Sequence, residues 1–91
     1  MHECVTAYTN STDRELIAWM EPWCEEVAIP SGKTLTFKGF GSEPGVIEIE
    51  GIEQGIIVYG WPTSVINVEC NDQIVWKAYC EHPPIPGNKP E

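Results

Sequence analysis

The sequence predicts an all-β protein: a two-layer antiparallel β-sandwich, Ig-like or jelly-roll-like, with about seven or eight short strands. Three observations carry this expectation. Short segments in which apolar and polar residues alternate recur along the chain, as in strands with one buried face. Eight glycines and eight prolines punctuate these segments as turn residues. The one segment with helical spacing is stopped by a proline after about two turns. A chain of 91 residues with 42% hydrophobic content suits one domain with a modest core.

The elements follow in order. Residues 1–14 read as an N-terminal arm with a possible edge strand from Glu3 to Thr9, where Cys4 and Thr6 alternate with Val5 and Ala7. Glu15 to Pro22 is ambiguous. Thr12 and Glu15 have capping-box spacing, and Leu16, Ile17 and Met20 would share a helical face. As a strand, the segment sets Ile17 and Trp19 against Leu16, Ala18 and Met20, and its strand-like surroundings favour that choice. Cys24 to Ile29 fits a half-buried strand, and Pro30-Ser31-Gly32-Lys33 a turn. Thr34 to Phe40 has the cleanest alternation, with Leu35 and Phe37 inward.

Val46 to Pro62 reads as a hairpin at the centre of the domain. Its first strand, Val46 to Glu50, sets Ile47 and Ile49 against Glu48 and Glu50, and Gly51 to Gly55 forms the connection. Its second strand, Ile56 to Tyr59, has no charged position, which places it at a sheet centre or under cover on both faces. Val65 to Cys70 alternates again, Asn71-Asp72-Gln73 turns the chain, and Ile74 to Cys80 is the last strand. The sandwich domain thus spans residues 15–80. Residues 81–91 are a Pro-rich C-terminal tail, expected to be an extended arm or unstructured.

Charge narrows the function classes. Fourteen acidic residues against five basic give a net charge of −9, which repels nucleic-acid phosphates and anionic lipid. The expected partner is a basic protein, with neither nucleic acid nor membrane. No apolar run approaches the ~20 residues that span a bilayer. Residues 1–10 lack the basic and apolar regions of a signal peptide, so the chain is expected to be cytoplasmic with its four cysteines reduced. In that compartment the triplet Asn10-Ser11-Thr12 is not a glycosylation site.

Two short pieces, Glu21-Pro22-Trp23 and Tyr59-Gly60-Trp61-Pro62, flank a Pro/Ser-Gly turn and an acidic hairpin. Together they resemble small uncharacterised bacterial all-β domains in which an E-P-W segment precedes a Y/W-G-W-P turn. The resemblance covers roughly Glu15 to Cys70. It implies a compact cytosolic β-sandwich and assigns no activity.

Three sets of residues are candidate sites. His2 and Cys4 at one end, and Cys80 and His82 at the other, each place two ligands on one side of an extended chain. If the terminal strands pair, these four residues would form a tetrahedral zinc site; otherwise they are tail histidines and buried thiols. The second set is the stripe Glu48 and Glu50, with the loop residue Glu53 and with Glu25, Glu26, Glu43 and Glu69 as further candidates. Such a stripe is a solvated strand face that discourages edge pairing, or a docking face for a basic partner. Catalysis by paired carboxylates needs one of them desolvated, and alternating exposed glutamates are the wrong setting.

The third set is the tryptophans. Trp19, Trp23 and Trp76 are expected in the core, and Trp61, in its turn, is expected to be partly exposed as an apolar anchor. No nucleophile elbow, triad, phosphate loop or calcium loop occurs in the sequence, so no enzyme activity and no cofactor are expected. The leading expectation is a non-enzymatic interaction module of inhibitor, immunity or adaptor type. It would bind a basic protein surface through Glu48, Glu50, Glu53 and Trp61. A carbohydrate-binding module using Trp61 and Trp23, or a small zinc domain using the terminal Cys and His, are the alternatives.

Overall fold

The computed structural model describes residues 1–82. Among these residues there is no helix, and eight strands are present. They are β1 (His2–Thr9), β2 (Leu16–Glu21), β3 (Glu25–Ile29), β4 (Thr34–Gly41), β5 (Glu48–Ile52), β6 (Gly55–Tyr59), β7 (Ser64–Cys70) and β8 (Gln73–Lys77). The first sheet has the order β1-β4-β7-β8 and the second β3-β2-β6-β5. The two sheets enclose one core, so the sandwich expected from the alternation is the fold observed.

The ambiguous segment after Glu15 is strand β2. Leu16, Ala18 and Met20 are buried and Ile17, Trp19 and Glu21 face outward. A period of two wins over the helical spacing because β3 and β6 pair with β2 on both sides. Across the interlayer space, Leu35, Phe37, Ile66 and Val68 meet Ala18, Met20, Val27, Ile29, Ile56 and Val58. Each large side chain in such a layer contributes roughly 1.5–3 kcal/mol by leaving water. The edge strand foreseen near the N-terminus is longer than expected, pairing with β4 from His2↔Gly41 to Thr9↔Thr34.

One pairing departs from the antiparallel expectation: β2 and β6 run parallel. Gly55 makes their approach possible. Its φ is +151°, and a Cβ there would meet the backbone of Ile17, whose nitrogen would lie 2.7 Å away. The Ile17 N–H donates to the Gln54 carbonyl at 3.0 Å, starting the pair. At its other end, Glu21 stands opposite Tyr59 and the Gly60 N–H donates to the Glu21 carbonyl. The E-P-W and Y-G-W-P pieces are therefore the adjoining ends of two neighbouring strands.

Trp61 closes that end of the core. Its indole lies over Gly39, Gly41 and Gly45, where a Cβ on Gly39 or on Gly41 would come within 2.7 Å of the ring. The glycines near the β4–β5 connection thus make room for an indole as well as opening the backbone. Trp61 Nε1 donates to the Glu43 carbonyl at 2.9 Å. Trp23 covers the neighbouring position, donating from Nε1 to the Cys80 carbonyl and meeting Trp76 edge-on at 5.7 Å.

At the opposite end the fully buried Asn10 joins three segments. Its Nδ2 donates to the carbonyls of Arg14 and Ile29, and its Oδ1 accepts from the Thr12 N–H and hydroxyl. A buried amide with every group satisfied fixes geometry where an unsatisfied one would be costly.

The last strand is shorter than expected, and Asn71 and Asp72 make the tight turn before it with φ of 54° and 64°. Beyond β8 the chain stays beside β7: Ala78 N–H donates to Ile66 O, and His82 N–H to Ser64 O. The tail expectation for residues 83–91 lies outside the described residues.

Candidate functional site

The outward face of the second sheet collects Glu26, Glu48 and Glu50 of the sequence-predicted acidic stripe. Register places three rows across it. The first row runs Ala28, Ile17, Gly55, Ile52, and the second Glu26, Trp19, Ile57, Glu50. The third runs Glu21, Tyr59, Glu48. Apolar and aromatic side chains on the two inner strands form the floor, and carboxylates flank it. Trp19, Glu21, Ile52, Ile57 and Tyr59 line an open groove of about 450 Å³ there.

Charge divides between the layers. The strands of the second sheet hold five glutamates, Glu21, Glu25, Glu26, Glu48 and Glu50, and no lysine or arginine. In the strands of the first sheet, Glu3 and Glu69 are balanced by Lys38 and Lys77. Lys38 and Glu69 form an ion pair of 3.1 Å. The strand charge is thus concentrated on one layer.

Within the face, Tyr59 donates its hydroxyl to Glu50 Oε1 at 3.1 Å. The hydrogen bond to Glu50 raises the Tyr59 pKa above 10.0, helped by lost hydration and by the negative fields of Glu50, Glu21 and Glu48. The phenol accordingly keeps its proton and remains a donor to a carboxylate.

The other predicted residues scatter. Glu53 occupies the β5–β6 turn at the end of the sheet away from Glu48, and its carbonyl accepts from Arg14 Nη2 at 3.0 Å. Glu25 accepts from Trp76 Nε1 at 2.7 Å and ties the β3 edge to β8. Glu43 lends its carbonyl to Trp61, and Glu69 belongs to the first sheet.

Trp61 is 6% exposed, so the partly exposed anchor expected at that turn is instead an end-plug of the core. Trp23 is equally buried, which removes both rings assigned to the carbohydrate alternative from contact with a ligand. Trp19 is the reverse case: it was expected in the core and forms the floor of the groove.

The four terminal ligands are held apart. β1 and β8 are opposite edges of the first sheet, with β4 and β7 between them. His2 aligns with Gly41, Gly41 with Ser64, and His82 bonds to Ser64. Three strand spacings, roughly 14 Å, therefore separate His2 from His82, too far for one tetrahedral ion. Among the described residues no three His, Cys, Asp or Glu side chains are grouped to hold a metal. Cys4, Cys24, Cys70 and Cys80 are free thiols.

Sequence reasoning found Glu48 and Glu50 and missed Trp19, Tyr59, Ile57, Ile52 and Glu21. A signal was present: Trp19 shares parity with Glu21, and Tyr59 with Ile57, so each aromatic lies on the face opposite Met20 or Val58. Comparison with known protein families, curated proteins and solved structures finds no match to this chain.

Proposed function

We propose that the protein is a non-enzymatic interaction module whose second sheet receives a basic segment of a partner protein. The single observation that carries this reading is the charge division. Four glutamates on its outward face, Glu21, Glu26, Glu48 and Glu50, surround an aromatic groove with no cation in the strands of that sheet, while the strands of the other layer are balanced. Trp19 and Tyr59 supply rings over which a lysine or arginine can lie, and Glu21, Glu48 and Glu50 supply its counter-charges. The anchor role first given to Trp61 passes to these two rings.

Such a surface steers a cationic partner over a distance of about a Debye length, ~10 Å at 0.1 M salt. The test is affinity isolation from the native host with the parent protein and with Glu48→Lys plus Glu50→Lys. A true partner is retained by the parent at low salt, released as salt rises, and lost from the variant. A partner held equally by both proteins at every salt concentration overturns the proposal.

A further inference from the structure

The β5 edge has a chemistry of its own, and it deepens the proposed function by specifying the partner's backbone. β5 pairs with β6 on one side only and is the last strand of its sheet. All five of its residues are exposed. Alternate residues of an edge strand turn their N–H and C=O groups away from the sheet, which offers a template for another extended chain. Proline, charged side chains or a bulge commonly protect such an edge; β5, Glu-Ile-Glu-Gly-Ile, contains no proline and pairs without a register shift, so its protection is its two carboxylates, which would not repel a cationic strand.

The two faces of β5 ask for different side chains. Glu48 and Glu50 stand on the outward face beside Tyr59 and Ile57. Ile49 and Gly51 stand on the inward face, opposite Val58 and Ile56. Ile49 is 36% exposed although it points between the layers, and a Cβ on Gly51 would meet nothing within 4 Å. The interlayer space is therefore open along this strand.

We infer that β5 accepts an added strand from the partner, in which two basic residues two positions apart flank an apolar residue. The basic residues lie opposite Glu48 and Glu50, and the apolar residue enters the open space beside Ile49 and Gly51. Main-chain hydrogen bonds hold the segment, and alternation of its side chains selects it.

A second copy of this chain fits the same edge poorly. The two-fold register that pairs all five residues of β5 is centred on Glu50. It places Glu50 opposite itself, and directly opposed like charges are unfavourable. The carboxylates thus disfavour full self-pairing while attracting a cationic strand. The other free edge at this side of the sandwich, β1, carries Glu3 as its one carboxylate and lacks this discrimination.

This inference rests on the acidic-face reading, and the two can be separated. The probe is a synthetic peptide alternating arginine and valine, titrated into isotopically labelled protein and followed by backbone amide shifts and hydrogen exchange. Strand addition predicts shifts and slowed exchange centred on residues 48–52. It also predicts a tenfold or greater loss of affinity when alternate peptide nitrogens are methylated, with charge and side chains unchanged.

Equal affinity of the methylated peptide overturns strand addition and leaves electrostatic docking standing. Absence of binding by the alternating peptide, or shifts confined to β1 or β3, also overturns it. Binding unchanged by Glu48→Lys plus Glu50→Lys at low salt overturns the acidic-face reading itself.

Discussion

Tyr59 donates its hydroxyl to the carboxylate of Glu50 across the β5–β6 pair, 3.1 Å from oxygen to oxygen. The contact is diagonal, since register places Glu48, not Glu50, directly opposite Tyr59. It joins the two strands whose side chains make most of the acidic groove.

A pH titration reads this contact. The Glu50 hydrogen bond, with burial and the neighbouring carboxylates, raises the Tyr59 pKa in the folded protein above 10.0. A raised pKa stabilises the fold fully below the unfolded value and ceases to do so as pH rises through the folded value. Ultraviolet titration should therefore show one tyrosine ionising later than a free phenol, and Glu50→Gln should move it back. An unchanged curve in the variant would remove Glu50 as the cause.

The tryptophans should separate by accessibility. Trp23 and Trp61 are buried, whereas Trp19 lines the groove and Trp76 is half-buried. Acrylamide should quench only part of the emission, and Trp19→Phe should reduce the quenchable fraction. A basic partner bound at the groove should protect that fraction; protection that persists in Trp19→Phe would place the partner elsewhere.

The Trp61 plug predicts non-additive substitutions. Trp61→Ala should cost about 3–5 kcal/mol, as large aromatic truncations do. Gly41→Ala should cost about 1–3 kcal/mol by overpacking, because its Cβ would sit 2.7 Å from the indole nitrogen. With Trp61 already alanine, the Gly41 substitution should cost much less, a coupling that denaturant unfolding of the double-mutant cycle would read directly. Additive costs would show that the glycine is not there for the ring.

Asn10 is expected to be intolerant of change. Asn10→Ala removes the hydrogen bonds to the Arg14 and Ile29 carbonyls and from the Thr12 donors, a loss of about 2–4 kcal/mol. Asn10→Asp keeps the shape but cannot donate while ionised, so chemical denaturation at neutral pH should find it at least as damaging. The side chain is also fully covered, so in the folded protein Asn10-Ser11-Thr12 presents no amide to a modifying enzyme.

Zinc should leave the protein unchanged. With His2 and Cys4 on one edge of the first sheet and Cys80 and His82 beyond the other, the four side chains cannot share an ion. Equimolar zinc should not shift the melting temperature; an increase abolished by substituting residues from both ends would contradict this arrangement.

The fold was legible where local chemistry decides it. Alternation from Thr34 to Phe40 and from Val65 to Cys70 exposed the period of the strands observed at Thr34–Gly41 and Ser64–Cys70, and Asn71-Asp72 announced its turn. Even the doubtful β2 yielded to parity. What could not be read was which strand would neighbour which. The β2–β6 pairing decides that Trp19 and Tyr59 share a groove, and neither residue carries information about the other.

Trp61 misled for a related reason. A Trp-Pro turn looks exposed until Gly39, Gly41 and Gly45 are brought beneath it by folding. Glu48 and Glu50 were recognisable because their alternation with Ile49 is local, whereas Glu21 became part of the same face only through the parallel pair.

That parallel pair also sets an order of events. β2–β3, β5–β6 and β7–β8 are hairpins between successive strands and can form on the microsecond scale. Joining β2 to β6 closes a long loop and belongs to the slower, non-local stage of folding. Glu48, Glu50 and Tyr59 therefore come together early within one hairpin, and Trp19 and Glu21 reach them only when that stage is complete. The groove is consequently a property of the finished molecule: a peptide spanning residues 46–62 would carry half of its four glutamates and none of its indole floor.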